Sequence, residues 1–206
     1  SDEVQAALGY GLAKLDHESA VTTLGDILKE NPHHRFKHDL LRYIGKAGGA
    51  KAATVLKPFL KDLDEFSRYY AAAGIAQSGA KTEIDEAKRL LLDDSWMVRS
   101  AAAQMLSGGG KNDKALELLV RLLEDPEAVV RGTAVVELER WKSEKVIPAL
   151  LDGLVSLGGE GQQLVLKVLE TLTKQKFATK AEGEKWWLAN RGSFRLPPIE
   201  ERHKVK

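Results

Sequence analysis

Apolar residues recur along this chain at spacings of three and four, and the groups they form recur about every 31 residues. Leu8 and Leu12 follow Gln5 by three and seven positions. Leu40 and Ile44 stand in the same relation to Lys37, Ala71 and Ile75 to Arg68, Ala102 and Leu106 to Arg99, Ala134 and Leu138 to Arg131, and Val165 and Leu169 to Gln162. Successive anchors are separated by 32, 31, 31, 32 and 31 residues. A second apolar group follows each of the first five. Its members are Val21, Leu24, Ile27 and Leu28, then Ala53, Leu56, Phe59 and Leu60, then Ile84, Ala87, Leu90 and Leu91. Leu116, Leu119, Leu122 and Leu123 form the fourth, and Leu151, Leu154 and Val155 a looser fifth. Such spacings place the residues on one face of a helix. Each unit therefore predicts two amphipathic helices, and neither buries its stripe without a stacked neighbour.

The breaks agree with this frame. Gly48-Gly49, Gly79, Gly108-Gly109-Gly110 and Gly158-Gly159 fall at the ends of first helices or between units. Asp94 and Asp125 precede Arg99 and Arg131 and are expected to cap the incoming helices, with Pro126 in the first turn. Thr179-Lys180-Ala181-Glu182 reads as a capping box before a short helix bearing Trp186 and Trp187. Period-2 alternation is absent, so no strand is predicted.

The fold expected is all-α, a right-handed α-α superhelix of about five helix pairs plus C-terminal helices. One repeat domain should span 1–190, with units near 2–31, 32–63, 64–93, 94–124 and 125–157, then a half-unit and cap at 158–190. The two indoles are expected to cover the last repeat. Residues 191–206 read as an extended or mobile basic tail, with Pro197-Pro198 and few apolar positions.

Composition changes this picture only by exclusion. The 206 residues carry 31 Lys and Arg against 30 Asp and Glu, a net charge of +1. That balance argues against non-specific nucleic-acid binding. There is no cysteine, which excludes disulfides, thiolate catalysis and thiolate metal sites within the chain. No apolar run reaches the roughly 18 residues that span a bilayer. The opening Ser1-Asp2-Glu3-Val4 has no targeting pattern and no initiator methionine. It is expected to belong to a processed product or a piece of a longer protein, and the compartment stays open.

The segments Asp94-x-x-x-Val98-Arg99-x-x-Ala102-x-x-x-Leu106 and Asp125-x-x-x-x-Val130-Arg131-x-x-Ala134-x-x-x-Leu138 resemble HEAT repeats, specifically the short variety named after phycobilisome lyases. The resemblance covers roughly residues 2–175, and Gln5 and Lys37 depart from it in the arginine column. It implies an armadillo-like α-solenoid used for protein–protein interaction. The closing Thr-rich turn and Trp-bearing helix resemble the C-terminal segment of many bacterial HEAT-repeat proteins. Two other activities are implied by resemblance alone: a bilin lyase or accessory factor, and a nucleic-acid-binding protein like the HEAT-like alkylpurine glycosylases, which the near-neutral charge opposes.

Candidate chemistry is sparse. His34 and His38 stand four apart and so share a helix face, but two ligands make a poor metal site. With His33 they read as a solvated helix start after Pro32. His17-Glu18 resembles one dyad of deoxyhypusine hydroxylase, whose di-iron centre needs several, so it reads as a surface pair. Gly108-Gly109-Gly110-Lys111 fails the phosphate-loop spacing, with Met105 at the first glycine and Asn112 in place of serine or threonine. Arg68, Arg99 and Arg131 are expected to pair with aspartates and carbonyls between units. Trp96 and Trp141 read as packing residues. No catalytic set, cofactor motif or metal set emerges, and a non-enzymatic scaffold is expected.

The second helices of such solenoids line the concave face. Arg89 and Arg121 fall opposite the apolar positions there, with Lys57, Lys88 and Lys61 at the edge and Asp85 and Glu117 one turn earlier. These seven residues are the expected groove for a protein or peptide partner, with an acidic partner favoured by the basic stripe.

Overall fold

The apolar stripes of the described residues become the buried faces of helices in the computed structural model, which describes residues 7, 11, 18–80, 84–108 and 112–202. The helix anchored at Gln5, with Leu8 and Leu12, lies outside the described residues, as does His17. The chain divides into two compact units, Ser1–Gly110 and Lys111–Lys206.

In the first unit α1 is Glu18–Glu30, α2 Lys37–Ala47 and α3 Gly49–Leu56, extended by a 3-10 turn at Lys57–Lys61. They are followed by α4 at Glu65–Gln77, α5 at Ile84–Leu90 and α6 at Trp96–Gly108. The first-type helices α2, α4 and α6 pack side by side, α2 on α4 and α4 on α6, while α1 packs on α3. In the second unit α7 is Asp113–Arg121, extended by a 3-10 turn at Leu122–Glu124. Then come α8 at Ala128–Glu139, α9 at Val146–Ser156, α10 at Gly159–Thr173, α11 at Lys180–Asn190 and a 3-10 turn at Ile199–Glu201. Here α8 packs on α10, and α9 lies between α7 and α11. The described residues form an all-α stack of helix pairs, the α-solenoid class. None of the helices is long and apolar enough to cross a membrane among the described residues.

Among the described residues, the first-helix positions picked out by the 31-residue frame are core: Leu40, Ile44, Ala71, Ala102, Ala134, Val165 and Leu169 are sealed from solvent, as are Leu106 and Leu138, and Ile75 is 4% exposed. Burying each leucine or isoleucine contributes roughly 2 kcal/mol. The second-helix positions follow the frame less closely: Ile27, Ala53, Phe59, Ile84 and Leu91 are half-buried. Val155 is 71% exposed, and α9 buries Val146, Ile147, Leu150, Leu151 and Leu154 instead. Leu151 and Leu154 thus set the stripe, and Val155 lies one residue past it.

The turns between repeats share one construction. Asp62, Asp93 and Asp125 each accept a hydrogen bond at the carboxylate from the amide two residues on, at 3.0, 3.0 and 2.9 Å. Six residues later Arg68, Arg99 and Arg131 donate Nη1 back to the carbonyls of that turn. The acceptors are Asp62 and Leu63 (2.9 and 3.0 Å), Asp93 and Asp94 (2.9 and 3.0 Å), and Asp125 and Pro126 (2.8 and 3.0 Å). Each turn carbonyl left open by the chain reversal is thereby satisfied by a charged donor. The capping role expected of Asp94 and Asp125 is corrected here. The structural aspartate of the fourth repeat is Asp93, one residue earlier, and Asp125 braces the turn before α8, whose N-cap is Glu127. Asp64 is a true cap, accepting the Ser67 amide at the start of α4 at 2.8 Å.

The same aspartates tie neighbouring repeats together. Arg68 Nε and Nη2 meet the Asp93 carboxylate at 2.7 and 2.8 Å. Lys37, which the sequence marks as a departure, meets Asp62 at 2.5 Å in the same relation, 25 residues on. Burial raises the Asp93 pKa, but hydrogen bonds from Arg68 and the Ser95 amide, with the charges of Arg68 and Arg89, outweigh it, so the carboxyl lies below its ordinary value. After the fifth repeat no aspartate stands at that place, and Arg131 Nη2 takes both oxygens of Glu160 at 3.0 and 2.9 Å. Its buried Nε is left without a partner among the described residues.

The C-terminal segment closes the second unit. Thr179 Oγ1 accepts the Glu182 amide at 3.3 Å, and the Glu182 carboxylate reaches back to the Ala178 amide at 2.8 Å. Gly183 seats α11 directly against Leu151 of α9, where a Cβ would overlap the leucine. Trp186 packs between Phe177 and Phe194, at ring separations of 5.7 and 5.3 Å. Residues 191–206 read from sequence as an extended or mobile tail. In its described part a 3-10 turn leads to Arg202, 4% exposed, whose Nη1 donates to the carbonyls of Glu139 and Trp141 at the end of α8. The basic residue counted as solvated tail is a helix C-cap at long range.

Candidate functional site

The seven sequence-predicted groove residues fall in both units. Lys57, Lys61, Asp85, Lys88 and Arg89 belong to the first, Glu117 and Arg121 to the second. In the first unit the 3-10 turn after α3 and the helix α5 come together. Lys57 pairs with Glu86 at 2.9 Å, and Arg89 donates to the Leu60 carbonyl at 2.9 Å. These two cations are therefore partly spent on holding α5 against its neighbour. Lys61, Asp85 and Lys88 are exposed.

In the second unit Glu117 and Arg121 line a groove of about 690 Å³ between α7 and α9. Its floor is apolar, from Leu116, Val120, Pro148, Ala149 and Leu157. Its rims carry Asp113, Glu117, Glu124 and Asp152 against Arg121 and Lys145. Lys145 bridges to Asp113 at 2.9 Å across the groove, and Glu124 accepts the Gly158 amide at 2.7 Å. Gly153 allows the approach of the two helices, since a Cβ there would sit 2.8 Å from Val120. The α9 side of this groove was missed by sequence reasoning, which read α9 only for its apolar positions. Asp152 sits on α9 beside Leu151, and a polar-face reading of the fifth repeat would have found it.

The remaining candidates resolve into structure. His34 is 3% exposed, so the expected solvated position is corrected; its Nδ1 accepts the Phe36 amide at 3.1 Å. His38 Nε2 lies 2.6 Å from Asp64, with its ring against Phe66 and Tyr70. Each imidazole thus faces its own protein partner, and no group of three metal-ligating side chains occurs among the described residues. Burial raises the Asp64 pKa, but hydrogen bonds from the Ser67 hydroxyl, His38 and the Ser67 amide bring it down to about 2. Trp141 is buried, whereas Trp96, at the first turn of α6, is 42% exposed. Gly109, Gly110 and Lys111 lie outside the described residues, as does the His17 side of the His-Glu dyad.

The repeated helix pairs have counterparts in known proteins. The HEAT repeats family profile matches residues 87–170. That segment is similar to HEAT repeats. Comparison with curated proteins finds no match. Among solved structures, an engineered protein from a structural genomics consortium aligns with a TM-score of 0.53 at 20% identity, covering 82% of this chain and 90% of that one. A second engineered protein from the same source aligns at 0.55 and 18% identity, covering 93% of this chain and 65% of its own length. These likenesses bear on fold alone. The complex of CpcE and CpcF of phycocyanin lyase from Nostoc aligns at 17% identity over 82% of this chain and 88% of that one, with a TM-score of 0.43. That value is too low to establish a shared fold.

Proposed function

We propose that this HEAT-repeat chain is a non-enzymatic scaffold that holds a protein or peptide segment on the face of its second helices. The observation that carries this is the α7–α9 groove, an apolar floor between charged rims, open along two helices of a repeat scaffold. Its polar groups are engaged with one another or face solvent, and no nucleophile with a base and an orienting group is assembled around it. Such a surface supplies shape, apolar area and charge, which are the components of recognition.

The test is capture from native extract with the full chain as bait, beside an Ala149→Arg variant of unchanged helical content. Ala149 lines the groove floor. A saturable partner held by the wild type and lost by the variant supports the reading. A partner held equally by both moves the site elsewhere on the chain, and no partner with either bait counts against a binding module. Reversing Lys57 and Arg89 is the poorer design, because their contacts with Glu86 and the Leu60 carbonyl brace the first unit.

A further inference from the structure

We infer that the groove of the second unit extends from α7 and α9 onto α11 and takes an extended peptide segment bearing lysine or arginine. This rests on the reading of the chain as a binding module and names the chemistry of its partner. A second cavity, of about 330 Å³, lies between α9 and α11 and is lined by Pro148, Leu151, Asp152, Glu184, Trp187 and Leu188. Pro148 and Asp152 also line the α7–α9 groove, so the two cavities meet along α9. Together they form one track across three helices of a single unit.

The charge along this track is unbalanced. Asp113, Glu117, Glu124, Asp152 and Glu184 line it, against Arg121 and Lys145. Lys180 adds a cation at the α11 end, where it pairs with Asp152 at 2.9 Å and Glu184 at 3.5 Å. Carboxylates still exceed cations by two. This reverses the acidic partner expected from the basic stripe, because that stripe's remaining members lie in the first unit and two of them are engaged there.

An extended peptide places alternate side chains on opposite faces. Apolar residues then enter the floor, and their neighbours reach the carboxylate rims. At the α11 end a peptide cation would share Asp152 and Glu184 with Lys180. The indole of Trp187 lines the same cavity as Asp152 and Glu184, which puts an aromatic ring beside the carboxylates for a guanidinium or ammonium. Leu188, 62% exposed on the same lining, supplies apolar surface for the stem of that side chain. An acidic segment, or a nucleic-acid phosphate, would meet like charge along the track.

The experiment is selection of a random peptide library displayed on phage, with the full wild-type chain as target. The strongest binder is then synthesised and titrated by calorimetry against wild type, Glu117→Arg, and the Glu117→Arg/Asp152→Arg double variant, each with its helical content confirmed by circular dichroism. Glu117 is exposed, so the single variant keeps the test interpretable if the double variant misfolds. The expected result is enrichment of peptides with net positive charge and alternating apolar residues. Their affinity should fall about tenfold in the variants and weaken with added salt. Enriched peptides that are acidic or neutral, or basic ones bound equally by all three proteins, overturn the basic-segment inference and leave the binding-module reading standing. No enrichment at all counts against both.

Discussion

A single guanidinium does three jobs where Arg68 or Arg131 stands: it closes a turn, neutralises a carboxylate and joins neighbouring repeats. Arg68 shows the full set, with two turn carbonyls and a bidentate Asp93. Its side chain and that of Asp93 are 17% and 10% exposed, so removal of one strands a charge in a poorly solvated place. Arg68→Ala is expected to cost about 3 kcal/mol in urea denaturation. Arg131→Ala should cost about half as much, because its partner Glu160 is 67% exposed and solvent already screens the pair. Equal losses in the two variants would contradict this account. The carboxyls add a pH dependence. Asp64 and Asp93 both have pKa values below the ordinary 3.8, Asp64 at about 2. Their stabilisation is complete above the unfolded value and is lost as pH falls from about 4 towards 2. The urea midpoint should fall across that interval, and Asp64→Asn should flatten part of the decline. At this scale the sequence was partly legible. The arginine column and its pairing with aspartates followed from the repeat. The choice of Asp93 over Asp94 did not, because a tight turn tolerates either neighbour until its hydrogen bonds are seen. Lys37 looked like a break in the column, yet its charge reaches Asp62 as Arg68 reaches Asp93.

Helices in this chain meet where side chains are missing. The first-helix neighbours α2 and α4 touch through Gly45 and Gly74, and a Cβ at Gly74 would lie 3.0 Å from Gly45 Cα and 2.6 Å from Leu56. Alanine at Gly74 gains up to about 1 kcal/mol of helix propensity but overpacks a backbone contact that cannot yield. Gly74→Ala is therefore expected to lower stability by about 1–3 kcal/mol, read as a shift in thermal midpoint. A neutral or stabilised variant would show that the helices slide apart at little cost. The apolar stripes made these helices readable, since spacings of three and four leave few alternatives. The contacts between helices were not readable, because two glycines in separate repeats carry no mark of facing one another. The groove divides in the same way. Glu117 and Arg121 were found from the polar side of α7, whereas Lys145, Pro148, Ala149 and Asp152 were missed. Their helix was identified through Leu151, Leu154 and Val155, and the last of these faces solvent.

A stack of repeats draws its stability from neighbour to neighbour, so local damage should stay local. Each unit here has its own core: Leu40, Ile44, Ala71 and Leu106 in the first, Leu119, Leu138, Leu150 and Leu169 in the second. Arg202 is the clasp of the second. Burial pushes its guanidinium below the ordinary value, only partly offset by the charges of Glu139 and Glu200. It bears that penalty while satisfying carbonyls at the end of α8, and Lys174 in turn donates to its carbonyl. Arg202→Ala leaves those carbonyls buried beside an emptied site and should cost about 1–3 kcal/mol. Amide hydrogen exchange reports where that energy is felt. In Arg202→Ala, amides of α8 should lose about tenfold in protection. Those of α2 and α4 should be nearly unchanged. Gly74→Ala should produce the reverse pattern. Uniform loss across both units from either substitution would mean that the chain opens as one cooperative body, and the nearest-neighbour description would fail.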